Sequence, residues 1–217
     1  MKNKKIILDL CGGTGAWSNP YKNAGYDVKN ITLPDHNIFE VEETKKSLIF
    51  YGQGGAADIK VNIKNIYGIL AAPTCTHFSL ARTTAKKPRD FATAMKLVQQ
   101  CLGIIWHCRI NGSLNFWALE NPMGYLRQFL GRPPLTWSPN DYGQPYTKRT
   151  DLWGYYNQPT KKPVKLSDQQ MRDCSINNRI LPSVPEGYKM PNDIKTQAVR
   201  RSITPNGFAI QFYKANK

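Results

Sequence analysis

The sequence predicts an α/β fold built on a mostly parallel sheet, with a small loop-rich lobe towards its C-terminal end. Three observations carry this expectation. Short apolar runs at Ile66–Ala71 and Asn115–Leu119, like Lys5–Leu10 before them, stop abruptly in small, polar or proline residues, as buried strands do when they reach a sheet rim. Between the second and third runs, Phe91, Ala94, Met95, Leu97, Val98, Leu102, Ile105 and Trp106 recur at spacings of three and four, the period of a long amphipathic helix packed on a sheet, here Asp90 to Arg109. From Asn157 to about Val199, prolines at 159, 163, 182, 185 and 191 interrupt polar sequence that has little periodicity.

Length and composition bound the answer further. A chain of 217 residues has room for one domain with a real core. Thirty Lys and Arg against fifteen Asp and Glu give a net charge of +15, spread along the chain rather than gathered in a tail. That excess points to a binding face for a polyanion, nucleic acid above all. Five cysteines, at 11, 75, 101, 108 and 174, are odd in number and form no CxxC pair, which argues against a disulfide framework and a zinc ribbon and fits a reducing cytoplasm. Lys2, Lys4 and Lys5 precede Ile6–Leu8, but Asp9 interrupts the run too early for a signal-peptide core. No segment approaches the roughly 18 apolar residues of a membrane span. The expectation is a soluble cytoplasmic protein that needs no metal.

Lys5–Leu10 runs straight into Cys11-Gly12-Gly13-Thr14-Gly15, followed by Ala16–Ala24, which can be helical. Strand, glycine turn and helix let backbone approach a nucleotide-like ligand closely. A nicotinamide fingerprint would want a third glycine where this chain has Ser18; an adenosyl ligand without a pyrophosphate asks less of the turn, and a plain strand-to-helix turn is the other reading. Tyr26–Leu33 reads as a second strand, with Asp35 beyond it placed either for ribose hydroxyls or as a turn aspartate. Glu40–Ser47 is polar and expected to be helical, and 52–57 loop-like before Asp58-Ile59.

The run Ile66–Ala71 ends in Ala72-Pro73-Thr74-Cys75-Thr76-His77-Phe78-Ser79, which puts a thiol at the sheet rim, the position of the ligand crevice in open α/β folds. Cys75 is the candidate nucleophile, against the ordinary alternative of a buried structural cysteine. The basic stretch Ser79–Arg89 reads as a mobile loop beside it. Cys101, His107 and Cys108 are expected in the core. Glu120 ends another buried strand and lands on the same rim if the strands are parallel, where a carboxylate needs a partner or a task. Tyr125–Leu130 reads as a short helix, Arg132–Pro139 as an irregular connection, Asp151–Tyr156 as a strand preceded by the cations Lys148 and Arg149, and Phe208–Ala215 as a final helix. There is no internal repeat.

In this order, Asp9-Leu10-Cys11-Gly12-Gly13-Thr14-Gly15 resembles the cofactor motif Asp-Leu-Phe-x-Gly-x-Gly, and Thr74-Cys75-Thr76-His77-Phe78-Ser79 resembles the catalytic Pro-Cys-Gln-x-Phe-Ser. Glu120-Asn121-Pro122 resembles Glu-Asn-Val, and Lys148-Arg149-Thr150 is a loose version of Gln-x-Arg-x-Arg. The chain thus resembles the DNA (cytosine-5)-methyltransferases, in a compact form similar to those carried by phages and prophages.

The resemblance implies a Rossmann-like S-adenosylmethionine-dependent methyltransferase fold. It divides the chain into a catalytic and cofactor-binding domain over 1–156, a target-recognition lobe over 157–199, and a segment over 200–217 that packs back. It implies attack of Cys75 on C6 of a flipped-out cytosine, Glu120 on N3 and the exocyclic amine, and Lys148 or Arg149 on O2. Cofactor contacts are implied at Asp9, Leu10, Cys11, Gly12, Gly13, Gly15, Trp17, Asp35, Asp58, Ile59 and Pro73, with Trp17 or another ring standing in for the aromatic that Cys11 replaces. Nucleic-acid contacts are implied at Ser79, Arg82, Lys86, Lys87, Arg89, Arg200 and Arg201. The implied partner is double-stranded DNA, with no membrane and no protein partner, for a monomer in a bacterial or phage-infected cell, in the setting of restriction-modification. The same chemistry on tRNA or other RNA, a catalytically silent nucleic-acid-binding relative, and transfer of another group from a modified cofactor are the alternatives.

Overall fold

Every residue of β1 (Ile6–Leu10) is buried, so both faces of this strand must be covered. The computed structural model, which describes residues 4–81, 85–176, 183–184, 188 and 196–217, supplies a layer on each face. In chain order the elements after β1 are α1 (Asn19–Asn23), β2 (Asp27–Ile31), β3 (His36–Glu43), β4 (Ser47–Gly52), β5 (Ile59–Asn62) and β6 (Ile66–Ala71). Then come α2 (Phe91–Asn111), β7 (Phe116–Pro122), α3 (Arg127–Leu130), β8 (Leu135–Trp137), β9 (Thr150–Tyr155), α4 (Asp168–Ile176), α5 (Thr196–Ser202) and α6 (Asn206–Ala215).

The main sheet has six strands in the order β2-β1-β6-β7-β9-β8. Its first four are mutually parallel, and β9 runs antiparallel to both neighbours. The fold is therefore α/β with a mostly parallel sheet. The chain leaves β1 towards β2 on one side and leaves β6 towards β7 on the other, so the strand order reverses between β1 and β6. In open sheets the crevice for ligands lies above the carboxyl ends at that reversal. The two chain exits there are Cys11–Gly15 and Ala72–Ser79.

On one face, α2 buries Val98, Cys101, Ile104, Ile105 and Cys108 at spacings of three and four against Leu8, Leu10, Ile69, Ala71 and Leu119. The helix starts where Asp90 caps it by accepting from the Thr93 amide at 2.9 Å. On the other face, Phe208 and Phe212 of α6 meet Trp17, Tyr21, Phe116 and Trp137. Phe208 lies flat on Trp137 at 3.8 Å, and Phe212 meets Trp17 edge-on at 5.4 Å. Truncating such a buried aromatic costs about 3–5 kcal/mol, so the final helix is an integral part of the sheet layer. Asn216 and Asn157 exchange hydrogen bonds beyond it, pinning the chain end to the exit of β9.

Several expectations change. Glu40–Ser47 is not helical: β3 and β4 form a hairpin, extended by β5 into a separate antiparallel sheet. Burial at His36 and Ile38 alternates with a period of two, and the polar run is the solvent side of the hairpin, closed at Thr44–Ser47. Arg132–Pro139 contains a short edge strand, β8, because Trp137 is drawn under Phe208. His107 is not core: its Nε2 donates to the Thr44 carbonyl at 2.8 Å and its Nδ1 lies 3.3 Å from Glu43, riveting the hairpin to α2. The helix expected over 16–24 shrinks to α1, whose first turn holds Pro20. Among the described residues no helix is long and apolar enough to cross a membrane.

Candidate active site

Parallel pairing sets Ala71 of β6 beside Leu119 of β7, so Glu120, one residue further on, rises at the same rim as the chain leaving β6. The two exits are then clasped together. Asn121 donates from Nδ2 to the Pro73 carbonyl at 2.9 Å. The Phe78 and Ser79 amides both donate to the Cys75 carbonyl, at 2.9 and 2.8 Å, folding the cysteine into a tight turn. Ser79 bridges to Gly124, and the Tyr125 amide donates to the Phe78 carbonyl at 2.9 Å. A Cβ at Gly124 would lie 2.2 Å from the Phe78 oxygen, so only glycine lets these segments meet. Asn121 and Gly124 are site-building residues that nothing in the chain singled out beyond their place in or near the Glu120 motif.

The third member comes from the segment before β9. Lys148 places Nζ 3.8 Å from Glu120 Oε1 and donates to the Arg201 carbonyl at 2.9 Å, so the last turn of α5 holds the ammonium over the carboxylate. Arg149 is exposed and contributes its carbonyl to the Met123 amide, so the cation at the site is Lys148. Burial pushes the Glu120 carboxyl up from its ordinary range, and the Lys148 ammonium pulls it back. Burial also pushes the Cys75 thiol up; Lys148 lowers it and Glu120 raises it. Thiol, carboxyl and ammonium therefore form one electrostatically linked group, in which the cation favours the reactive thiolate.

The exit of β1 is built differently. Asp9 is fully buried under the turn and accepts from Ser18 Oγ at 2.5 Å, so the residue that stands in place of a third glycine serves as its hydrogen-bond partner. Burial pushes the Asp9 carboxyl up to about 6, against the lowering effect of Ser18. Asn30 donates to the Gly13 carbonyl at 3.0 Å, and Thr32 accepts from the Gly13 amide at 3.2 Å. Asp9 Oδ1 and Asn30 Oδ1 are buried without a hydrogen-bond partner among the described residues. A Cβ at Gly12 would lie 2.4 Å from Asp9 Cγ and 2.5 Å from Asn30 Oδ1. Cys11, Gly13 and Gly15 adopt φ of 57°, 53° and 70°, so the turn is a tight left-handed cradle over two unsatisfied acceptors. Gly12 and Gly13 leave the turn bare of side chains, so a small ligand can lie directly against its backbone.

The other residues expected around the turn are placed as follows. Trp17 is 2 % exposed, locked between Phe208 and Phe212 on the α6 face, and cannot replace a ring at the turn. Cys11 turns towards the α2 face and packs against the core cluster that holds Cys101. Leu10 is core. Asp35 sits in the turn beyond β2, its carbonyl accepting from the Gln53 amide. Asp58 is exposed and accepts from the Gly52 amide at 2.9 Å, bracing the β4–β5 connection, and Ile59 packs the second sheet onto the core. Both belong to the added hairpin layer, since the expected helix between strands is absent. Pro73 is buried just beyond β6.

Arg89 is committed to the base of its own loop. It donates to the His77 carbonyl at 2.7 Å and lies 4.8 Å over the Tyr125 ring, while His77 Nδ1 accepts from the Asp90 amide at 2.7 Å. Ser79 is half-buried in the bridge to Gly124, and Lys86 and Lys87 are exposed. Arg82 lies outside the described residues. Arg201 reaches the site through its carbonyl, and Arg200 is half-buried on the same helix. Among the described residues no cluster of His, Cys, Asp and Glu could hold a metal ion.

No family model and no curated protein matches the chain. Solved structures do. A methyltransferase of Entamoeba histolytica, EhMeth, aligns at 11 % identity and a TM-score of 0.38, over 76 % of this chain and 58 % of its own. A mutant of Spodoptera frugiperda DNMT2 aligns at 17 % and 0.32, over 76 % and 54 %. The S. pombe Dnmt2 methyltransferase aligns at 13 % and 0.35, over 84 % and 57 %. The chain thus spans a little over half the length of each.

Proposed function

We propose that this chain is a cytosine C5 methyltransferase that acts on DNA and takes its methyl group from S-adenosylmethionine. The observation that carries the reading is the grouping of Cys75, Glu120 and Lys148 on one sheet rim, next to the glycine turn. Cytosine C5 is a poor nucleophile. Addition of a thiolate at C6 makes the ring an enamine able to accept a methyl group, and each residue has a part in that step.

Cys75 supplies the nucleophilic sulfur; burial holds its thiol above the ordinary value, and the Lys148 ammonium works against that burial towards the thiolate. Glu120 bonds N3 and the exocyclic amine. Its burial makes it hold a proton more tightly than in water, which suits a group that must donate to N3 as negative charge develops on the ring. Asn121 and Gly124 keep the Cys75 turn against the Glu120 strand. The backbone of Gly12 to Gly15 would hold the cofactor, with Asp9 and Asn30 fixing the turn from beneath through Ser18 and the Gly13 carbonyl. Bound there, S-adenosylmethionine supplies an electrophilic methyl on a sulfonium. Loss of the C5 proton and expulsion of the Cys75 thiolate then restore the ring. The base must leave the duplex first, at a cost of a few kcal/mol, and the net charge of +15 favours binding the strands around it.

The test is incubation with S-adenosylmethionine and duplex DNA bearing 5-fluorocytosine, read by denaturing electrophoresis and intact mass. Fluorine blocks the final elimination, so the expected result is a methylated protein–DNA adduct that Cys75→Ala does not form. An adduct on tRNA and none on DNA would move the substrate to RNA; none on either would leave a nucleic-acid-binding protein.

A further inference from the structure

A cavity of about 250 Å³ opens beside the Cys75 turn, lined by Leu80, Met123, Gly124, Tyr125, Arg127 and Gln128. Its walls are rigid and flat. Tyr125 is backed by Phe91 at 5.6 Å and by the Arg89 guanidinium at 4.8 Å, and Phe91 in turn packs on Phe78 and Phe129. The Arg127 plane is fixed by Nε and Nη2 donating to Asp151 at 2.6 Å each, and by Nη2 donating to Thr136 at 2.9 Å. Tyr125 and Leu80 are nonetheless 39 % and 48 % exposed, and Gln128 is exposed at the mouth. Large apolar side chains left open between fixed planar walls mark a place for an apolar, flat ligand.

Position and charge identify the ligand. Ser79 and Phe78, which bond back to the Cys75 carbonyl, are the residues joined to Gly124 and Tyr125. The cavity therefore adjoins the turn that carries Cys75, where the proposed reading puts the target base. In the chain segments that continue from the lining residues, Lys86, Lys87 and Arg132 are exposed cations of the kind that suits phosphates. We propose that the cavity receives the base of the nucleotide adjoining the target on the DNA strand. The base stacks on Tyr125 against Leu80, and Gln128 offers a donor and an acceptor to its edge. The inference rests on the proposed DNA reading and adds a subsite to it: the neighbour is unstacked together with the target and held by the catalytic domain itself.

The experiment measures the rate of the Cys75 adduct on a duplex containing 5-fluorocytosine, with the nucleotide 5′ or 3′ of the target intact or abasic. On one of the two sides, removing the base slows the wild type by about tenfold, the size of one stacking contact. Tyr125→Ala slows the intact duplex by the same factor and the abasic duplex no further. Tyr125→Phe restores the wild-type rate, and Gln128→Ala alters the preference among bases at that position. Losses that multiply, or insensitivity to both abasic sites while the adduct still forms, would overturn the subsite and leave the methyltransferase reading standing. No adduct on any DNA would overturn both, and coupling seen only on an RNA strand would overturn the choice of DNA.

Discussion

Cys11 and Cys75 follow the carboxyl ends of two neighbouring parallel strands, both half-buried, yet they have opposite surroundings. Cys11 adopts a left-handed φ of 57°, turns to the α2 face and packs on the apolar core cluster that holds Cys101. Cys75 is held in a turn whose neighbours are a buried carboxyl and an ammonium. The β1 exit is made of backbone and orphaned acceptors, which suits binding; the β6 exit is made of ionisable side chains, which suits covalent chemistry. Position at a rim therefore does not distinguish the two thiols; the groups that other segments bring to Cys75 do.

The sharpest way to break this comparison is to remove each thiol in turn. Cys75→Ala is expected to abolish both the fluorocytosine adduct and methyl transfer, while Cys11→Ala still forms the adduct; intact mass spectrometry reads both. Next, Glu120→Gln should lower the methylation rate by about 10²–10³ while the circular dichroism spectrum stays unchanged, because it removes charge stabilisation without removing volume. Lys148→Gln is expected to move the alkylation midpoint of Cys75 to higher pH, since the ammonium that favours the thiolate is gone. For every pH unit that the midpoint rises, the iodoacetamide rate at neutral pH falls about tenfold. Glu120→Gln should move the same midpoint the other way, and a Cys11 thiol labelled in parallel should follow neither change.

At the β1 exit the expected effects are on stability. The folded carboxyl of Asp9, near 6, stands above its unfolded value of 3.8, so the folded state binds more protons between them and stability falls as pH rises through that window. Asp9→Asn escapes this loss. Its thermal stability relative to the wild type should grow by up to about 3 kcal/mol from pH 4 to pH 7, while cofactor binding weakens. Ser18→Ala should cost about 1–2 kcal/mol by removing the hydrogen bond to Asp9, measured by denaturant unfolding. A pH-independent Asp9→Asn stability difference would mean that the carboxyl is solvated, and would remove the basis for reading this turn as a cradle.

Much of this was legible in the chain because it is local. Apolar runs of strand length ending in Gly12 or Pro73, and the three-and-four spacing from Phe91 to Trp106, follow from the periods of strand and helix and needed no partner to be read. The place of Cys75 beyond one strand and the basic balance of the whole chain were legible in the same way, whereas β7 runs on past Glu120 to Pro122 because β9 pairs with it there. What only the tertiary structure decided involves contacts between distant residues. The polar run of β3 became a strand because β4 paired with it, and Trp17 went to the core because α6 arrived from the far end of the sequence to cover it. Lys148 rather than Arg149 became the cation because the Arg201 carbonyl, 53 residues away, holds its ammonium over Glu120. A sequence shows which residues can ionise or stack; pairing across the fold sets the burial and the neighbours that decide which of them do.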